Sequence, residues 1–295
     1  MRVTAAQVYR SQLLHLRRRR TESARAQEVA ASGVRLLAPS DDPVGAARSV
    51  RVRAMRGDVE TARDNIESVG RELGRSETAL GSMGDVLSRA RELAVAMSNP
   101  VASAGDRGAV AQEVVQLRQS LIDLGNSRIG DRRLFGGSQT GTNPFDASGT
   151  YTGDASTVAV GLYASATVQV TLDGGAVLAG TSGGPNVLES LDKLATALTA
   201  DDIDGVRGEL DTLDRGIDWL SQQRSLVGAR MKLLDNLDNH LGTLEVQLVD
   251  QQSELEDADV VEAYSELVRT KTAFESVLQV TAAARGADIF QLLGI

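Results

Sequence analysis

The residues that could carry out chemistry are few in this 295-residue chain. It contains no cysteine, which excludes disulfides, thiolate nucleophiles and cysteine-ligated zinc. A catalytic triad or a histidine metal site would have to be built around His15 or His240, the two histidines of the chain. His15 lies beside four arginines, whose charge opposes cation binding, and His240 lies in a polar stretch of a predicted helix. We therefore expect neither an enzyme active site nor a cofactor.

An acidic motif flanked by prolines, Pro39-Ser40-Asp41-Asp42-Pro43, precedes the most regular helical pattern of the chain. Two adjacent carboxylates with no further ligand nearby make a poor cation cage, so we predict no metal site. The motif instead predicts a helix start, in which Ser40 caps the free N–H groups. Asp41 and Asp42 favour the positive end of the helix dipole, and Pro43 is tolerated in the first turn. A second acidic cluster, at 201–204, lacks the calcium-loop pattern and is interpreted in the same way.

Charge is unevenly distributed along the chain. The formal net charge is −9, yet residues 1–56 hold 12 arginines and 4 acidic residues. Residues 251–295 hold 3 basic and 8 acidic residues. We therefore expect the two ends to attract each other, and we expect no binding to nucleic acid. No apolar run is long enough to cross a bilayer, so we also expect no insertion into a membrane.

The elements that position these residues are predicted chiefly by heptad spacing. Between positions 52 and 97, apolar residues recur at alternating steps of three and four, with a single polar member. The pattern predicts one long helix, which Asn99-Pro100 ends because a residue before proline is disfavoured in a helix. The predicted seam consists of Val52, Met55, Val59, Ala62, Ile66, Val69, Leu73, Ser76, Leu80, Met83, Leu87, Ala90, Ala94 and Met97.

Two further seams predict helices that pack beside the first. One seam, at 110–124, follows a glycine-containing turn. The short connection to the first helix implies that the two helices are antiparallel neighbours. The other runs from Ile203 to Leu248. Arg224 occupies one of its seam positions, where we expect the packing to be interrupted or exposed. We also expect the register of this seam to slip near Leu237.

Composition changes between these helical regions. Residues 136–185 are rich in Gly, Ser, Thr, Asn and Asp, and they contain two strand-like runs at 157–162 and 167–172. These features predict a small β-rich insert. A short helix at about 187–198 is predicted to follow it, with Pro185-Asn186 as the start signal.

The two ends of the chain are compatible with helices that have no partner in their own sequence neighbourhood. Residues 1–31 carry a thin apolar stripe, and residues 260–284 carry a better one. Helices of this kind pack on each other or on another chain. We therefore predict an assembly face on the C-terminal helix, formed by Leu267, Phe274, Val277 and Ala284.

These patterns predict a mainly α fold, in which a long antiparallel helical bundle or coiled coil carries a small β-rich inserted domain. We predict three domains. Residues 1–43 with 260–295 form a terminal helical coiled-coil region, residues 44–135 with 186–259 form the long-helix core, and residues 136–185 form the insert.

The sequence around the first predicted helix start resembles the N-terminal signature of the bacterial flagellin superfamily. The matching runs are Ser32-Gly33-Val34-Arg35-Leu36, Pro39 to Val44, and Ala46-Ala47-Arg48. The Pro-Ser-Asp-Asp-Pro variant is similar to hook-associated members of the superfamily. A second match runs from Asn126 to Asp154, and a looser one runs from Ala263 to Leu293. The C-terminus lacks the Leu-Ala-Gln-Ala-Asn run that is common in filament subunits.

This resemblance implies a structural role in the bacterial flagellum and a flagellin-like fold. Such a protein is secreted through the flagellar type III apparatus and assembles with copies of itself into a ring or tube. The resemblance implies a location at the hook–filament junction. The expected partners are hook-associated protein 1, flagellin and a flagellar export chaperone.

Two other functions remain open at this point. Flagellin itself, the filament subunit, shares the same helical ends. A coiled-coil signalling rod, such as the cytoplasmic domain of a chemoreceptor, would also contain a long helical hairpin, although it would not explain the β-rich insert.

Overall fold

The structure of the chain, a computed structural model, describes residues 5–293. It describes the side chains of these residues except at positions 5, 6, 8, 9, 182 and 284–293. Helices dominate the described residues, as predicted. Their bounds are α1 Ala5–Ser32, α2 Pro43–Met97, α3 Ala104–Gly125, α4 Gly174–Leu178, α5 Val187–Thr199, α6 Ile203–Glu256 and α7 Val260–Leu293, with a 3₁₀ turn at Thr181–Gly183.

Two small antiparallel sheets account for the named strands of the described residues. Strand β1 (Arg128–Ile129) pairs with β2 (Arg132–Arg133) through a two-residue turn at Gly130 and Asp131. Strand β3 (Ala159–Tyr163) pairs with β4 (Ala166–Gln169), with Val160 opposite Val168. The prediction of a mainly α fold that carries a small amount of β structure is confirmed.

The chain forms two compact units. Unit one contains the residues up to Gly57 and those from Leu244 onward, and unit two contains Asp58–Thr243. Helices α2 and α6 contribute to both units. Among the described helices, none is long and apolar enough to cross a membrane.

The heptad seam of α2 is buried along its length. Of its predicted positions, only Met55 is exposed, at 46%, and Met97 is half-buried. The polar member, Ser76, is fully buried, and its hydroxyl donates to the Glu72 carbonyl oxygen at 3.1 Å. That bond satisfies the hydroxyl within the helix, so the seam tolerates a serine.

The register of α6 does not slip at Leu237, and that prediction is wrong. The next flanking position of the heptad is Asp238, whose carboxylate accepts a hydrogen bond from Arg63 Nε at 2.9 Å. At Asp238 an ion pair with α2 therefore takes the place of an apolar contact, and the buried seam of α6 continues in the same register. Positions one heptad apart remain buried throughout the helix, namely Val206, Leu213, Leu220, Val227, Leu234, Leu241 and Leu248.

Ion pairs fix the antiparallel alignment of α2 and α6 within unit two. Arg224, the charged seam position, is exposed, and its Nε and Nη2 donate to Glu77 Oε1 at 3.1 and 2.5 Å. Arg91 pairs with Asp214 further along the same helices. The residue later in α2, Arg91, pairs with the residue earlier in α6, Asp214, so the two helices run in opposite directions.

The predicted insert lies in unit two with the helices that flank it. Phe145 is 1% exposed, and a Cβ at Gly125, the last residue of α3, would lie only 2.8 Å from its ring. The Trp219 indole N–H on α6 donates to the Ala176 carbonyl oxygen at 2.8 Å. The insert therefore shares a buried contact with α3 and a partly buried hydrogen bond with α6.

Candidate assembly site

Unit one brings together the two connections that join the end helices to the long helices. The α1–α2 and α6–α7 connections form an antiparallel bridge between Val34 and Asp257. The Arg35 backbone N–H donates to the Glu256 carbonyl oxygen at 2.7 Å. Gly33, at φ +70°, ends α1 in the left-handed conformation that commonly terminates helices. The Ser-Gly-Val-Arg-Leu run of the sequence is thus the place where the two connections meet.

The carboxylate of Glu256 fastens the end of α6 to α2. Arg53 Nε and Gln252 Nε2 each donate to it at 2.9 Å, and the Ser49 hydroxyl donates as well. Burial by itself would raise the pKa of Glu256, but the hydrogen bonds from Arg53, Gln252 and Ser49 outweigh burial and lower that pKa to about 2. The carboxylate is therefore ionised at neutral pH and fully paired.

The predicted helix start is present, but its cap is Asp42 and not Ser40. The Asp42 carboxylate accepts from the backbone N–H of Val44 at 3.1 Å and of Gly45 at 2.9 Å. Helix α2 then begins at Pro43, whose missing N–H costs nothing in the first turn. Ser40 is exposed and lies two residues upstream of the cap.

Asp41 has a different role from its neighbour, because it closes the turn that precedes the cap. Its backbone N–H donates to the Ala38 carbonyl oxygen at 2.9 Å, and its carboxylate accepts from the Ala38 N–H at 2.9 Å. It also pairs with Arg25 of α1. Backbone hydrogen bonding from Ala38 is the main cause that lowers the pKa of Asp41. This turn displaces Ser40 from the capping position.

The predicted assembly face is half-buried in the structure. Helix α7 packs along α1, and Leu267, Phe274 and Val277 are each partly covered. Ala284 lies outside the residues whose side chains are described. A groove of about 520 Å³ between α1 and α7 is lined by charges of both signs, among them Arg19, Glu22, Glu266 and Arg269.

Sequence reasoning missed a second apolar stripe on α7. Val261, Tyr264 and Val268 are 77%, 55% and 64% exposed, respectively. Their spacing of three and four residues places them on one face of the helix, and this spacing was the signal available in the sequence. Because Ala263 and Thr270 are buried on another face, α7 has a packed face and an unpartnered apolar face.

Two family models match the chain. The model described as the bacterial flagellin N-terminal helical region matches residues 4–140, and that of the C-terminal helical region matches residues 210–293. These ranges cover well over half of the chain and include both connections of unit one. The chain belongs to the bacterial flagellin family. The resemblance seen in the sequence is confirmed.

This flagellin-family chain is similar to proteins of two kinds. It is 25% identical to flagellar hook-associated protein 3 of Escherichia coli, over 99% of each chain. It is 28% identical to a flagellin of Listeria monocytogenes, over 87% of this chain and 86% of that one. The solved structure of the flagellar junction protein FlgL from Legionella pneumophila matches 71% of this chain and 100% of its own, with a TM-score of 0.60 and 16% identity, which shows a shared fold.

Proposed function

We propose that this chain is the structural subunit that joins the hook to the filament, located at the hook–filament junction of the bacterial flagellum. The match to hook-associated protein 3 supports this role because it runs along 99% of both chains. The Listeria flagellin match leaves a larger share of each chain uncovered, so a filament subunit is the second candidate. A signalling rod has no support, since the chain belongs to the flagellin family.

The observation that best supports a structural role is that helix α7 has one packed face and one exposed apolar face. A helix that is packed on one side and apolar on the exposed side needs another chain to cover it. Repeated contacts between identical subunits generate rings or tubes. The partners of this assembly are copies of the chain itself, with hook-associated protein 1 below, flagellin above, and an export chaperone before secretion.

Deletion of the gene distinguishes the junction from the filament. Without the junction subunit, cells retain hooks, lose filaments and shed flagellin into the medium. We would measure this by electron microscopy of the cells together with analysis of the medium. Hooks without filaments and without shed flagellin would instead identify the chain as the filament subunit.

The assembly surface of α7 comprises the predicted face, Leu267, Phe274, Val277 and Ala284, together with the exposed stripe of Val261, Tyr264 and Val268. Val268→Asp should leave the melting temperature of the monomer unchanged, because this side chain is 64% exposed. The same substitution should abolish incorporation at the hook tip. Burial of such a side chain in each subunit is worth roughly 1.5–3 kcal/mol, and a carboxylate would in addition have to be desolvated.

Val277→Asp is the matched variant for the half-buried face. We expect it both to lower the melting temperature, because α7 packs on α1, and to impair incorporation. Thermal melting of the purified chain and fluorescence imaging of labelled hooks measure the two effects. Normal incorporation of the Val268→Asp variant would remove the exposed stripe from the assembly surface.

A further inference from the structure

Unit two contains a basic groove between α2 and the β1–β2 hairpin. The groove has a volume of about 610 Å³. Its α2 wall presents Arg71 and Arg75, one helical turn apart, and its opposite wall presents Arg128. The buried side chains of Ala79 and Leu134 line it as well. Among the residues that the structure describes, no acidic one lines this groove, although the chain as a whole carries a net charge of −9.

The cations of the basic groove are largely uncompensated. Among the described side chains, Arg75 and Arg128 are exposed and take part in no hydrogen bond or ion pair. Arg71 pairs with Glu67, but both side chains are exposed, so this pair costs little to exchange for another. The groove between α1 and α7, in contrast, has two glutamates beside its three arginines. The basic groove therefore offers a site for carboxylates that the monomer leaves open.

The chain itself carries a segment of complementary charge. Residues 250–262, the acidic segment, contain six acidic residues and no basic one. Asp250 and Glu254 are exposed, and among the described side chains they have no partner. They lie one turn apart on α6, which is the same spacing of about 6 Å that separates Arg71 and Arg75 on α2. Carboxylates at that repeat can pair with both guanidiniums at once.

We propose that the basic groove receives the acidic segment of a second copy of this chain, with Asp250 and Glu254 facing Arg71 and Arg75. The two surfaces differ, so the contact is heterologous and repeats from subunit to subunit around a ring or along a tube. This inference rests on the proposed function, because it supplies one contact of the proposed assembly. In this assembly the apolar face of α7 contributes buried apolar surface between subunits. The charged contact determines the relative position of neighbouring subunits and which chain binds as a neighbour.

Disulfide trapping tests the contact directly, because the chain has no cysteine of its own. Arg75→Cys and Glu254→Cys variants would be expressed together in cells that lack the natural chain, and isolated flagella would be analysed without reductant. We expect an adduct of twice 31.2 kDa. Lys232→Cys with Glu254→Cys is the matched control, since Lys232 is exposed and lies outside the groove, and it should give no such adduct.

Charge exchange provides the second measurement. The Arg71→Glu, Arg75→Glu double variant should keep its melting temperature, because both side chains are exposed, yet lower junction occupancy at least about tenfold, since like charges in an interface repel. Adding Asp250→Arg and Glu254→Arg should restore most of the occupancy. Lys232→Glu should change neither property.

Several results would overturn the proposed pairing. These are assembled flagella without the Arg75–Glu254 adduct, an Arg75→Cys adduct with a protein of another mass, or a charge exchange that restores nothing. Each of them leaves the proposed function standing if the natural chain is found at the junction. Absence of the natural chain from the junction would overturn the proposed function itself.

Discussion

Two buried glutamates show how neighbours set the behaviour of a single side chain. Glu256 is held by three donors, which keep it ionised at neutral pH. Glu72 on α2 is 6% exposed and is approached by Arg132 Nη1 at 3.2 Å. Among the described groups, nothing donates to its Oε1 atom. Burial raises the pKa of Glu72, and the charge of Arg132 only partly opposes that effect.

Glu72→Gln should therefore stabilise unit two at neutral pH. A carboxyl group with a raised pKa in the folded state favours folding at low pH, where it is protonated, and loses that contribution as the pH rises through the folded-state pKa. Glutamine removes the cost of the buried charge, which we expect to raise the melting temperature by roughly 2–4 °C at pH 7. The gain should shrink as the pH falls towards 4. Melting curves followed by circular dichroism across this pH range measure it.

Glu67→Gln is the matched control for this prediction. Glu67 lies on the same helix and pairs with Arg71, but both side chains are exposed. Its replacement should have little effect at any pH, because an exposed ion pair contributes little. A destabilised Glu72→Gln variant at neutral pH would show that the ionised carboxylate and Arg132 stabilise the fold together.

At the scale of elements, the start of α2 depends on a single capping carboxylate. Asp42→Ala would leave the N–H groups of Val44 and Gly45 without their acceptor and should cost about 1 kcal/mol. Asp42→Asn should retain most of the stability, because asparagine is also a good cap. Chemical denaturation followed by circular dichroism measures each difference. Ser40→Ala, the replacement of the predicted cap, should have no effect, and a larger loss for Ser40→Ala would reverse the assignment.

Glycine at position 45 belongs to the same capping arrangement. A Cβ at this position would lie 2.4 Å from Asp42 Oδ2. The carboxylate would then have to shift from its present position, so the cap as arranged here favours glycine at position 45. The prolines and aspartates of the motif were visible in the sequence, whereas this steric requirement follows from the direction in which Asp42 turns.

For the molecule as a whole, the insert tests whether unit two unfolds cooperatively. Phe145→Ala removes a ring that is 1% exposed and packs against Gly125, which should cost about 3–5 kcal/mol. Because the insert shares a buried contact with α3 and a hydrogen bond with α6, we expect the whole of unit two to melt at a lower temperature. The helical signal and the fluorescence of Trp219, the single tryptophan, should change together.

The control for this experiment is Val101→Ala, at a residue that is 88% exposed and should contribute little. An earlier change in tryptophan fluorescence than in the helical signal would indicate an insert that folds by itself. That outcome would support the three-domain division predicted from composition.

Local sequence patterns were enough to predict the long helices, the buried seam of α2 and the family, but not the register of the α6 seam beyond Leu237. Heptad spacing is a local and repeated signal, so the seam of α2 could be identified from Val52 to Ala94, with Met55 as the one exposed exception in that range. The stop at Asn99-Pro100 and the start at Asn186 rest on backbone preferences of single residues. The run from Ser32 to Arg48 identified the flagellin family because its residues form the connection between α1 and α2 and the capped start of α2.

Tertiary structure decided which side chains meet across long sequence distances. Arg107 is 4% exposed and pairs with Asp201 at 2.6 Å, but no spacing rule links positions 94 residues apart. The network around Glu256 likewise joins residues more than 200 positions apart. The choice of Asp42 over Ser40 as the cap depended on the turn that Asp41 closes. Such contacts depend on where the folded backbone places each donor and acceptor, which periodicity along the chain does not specify.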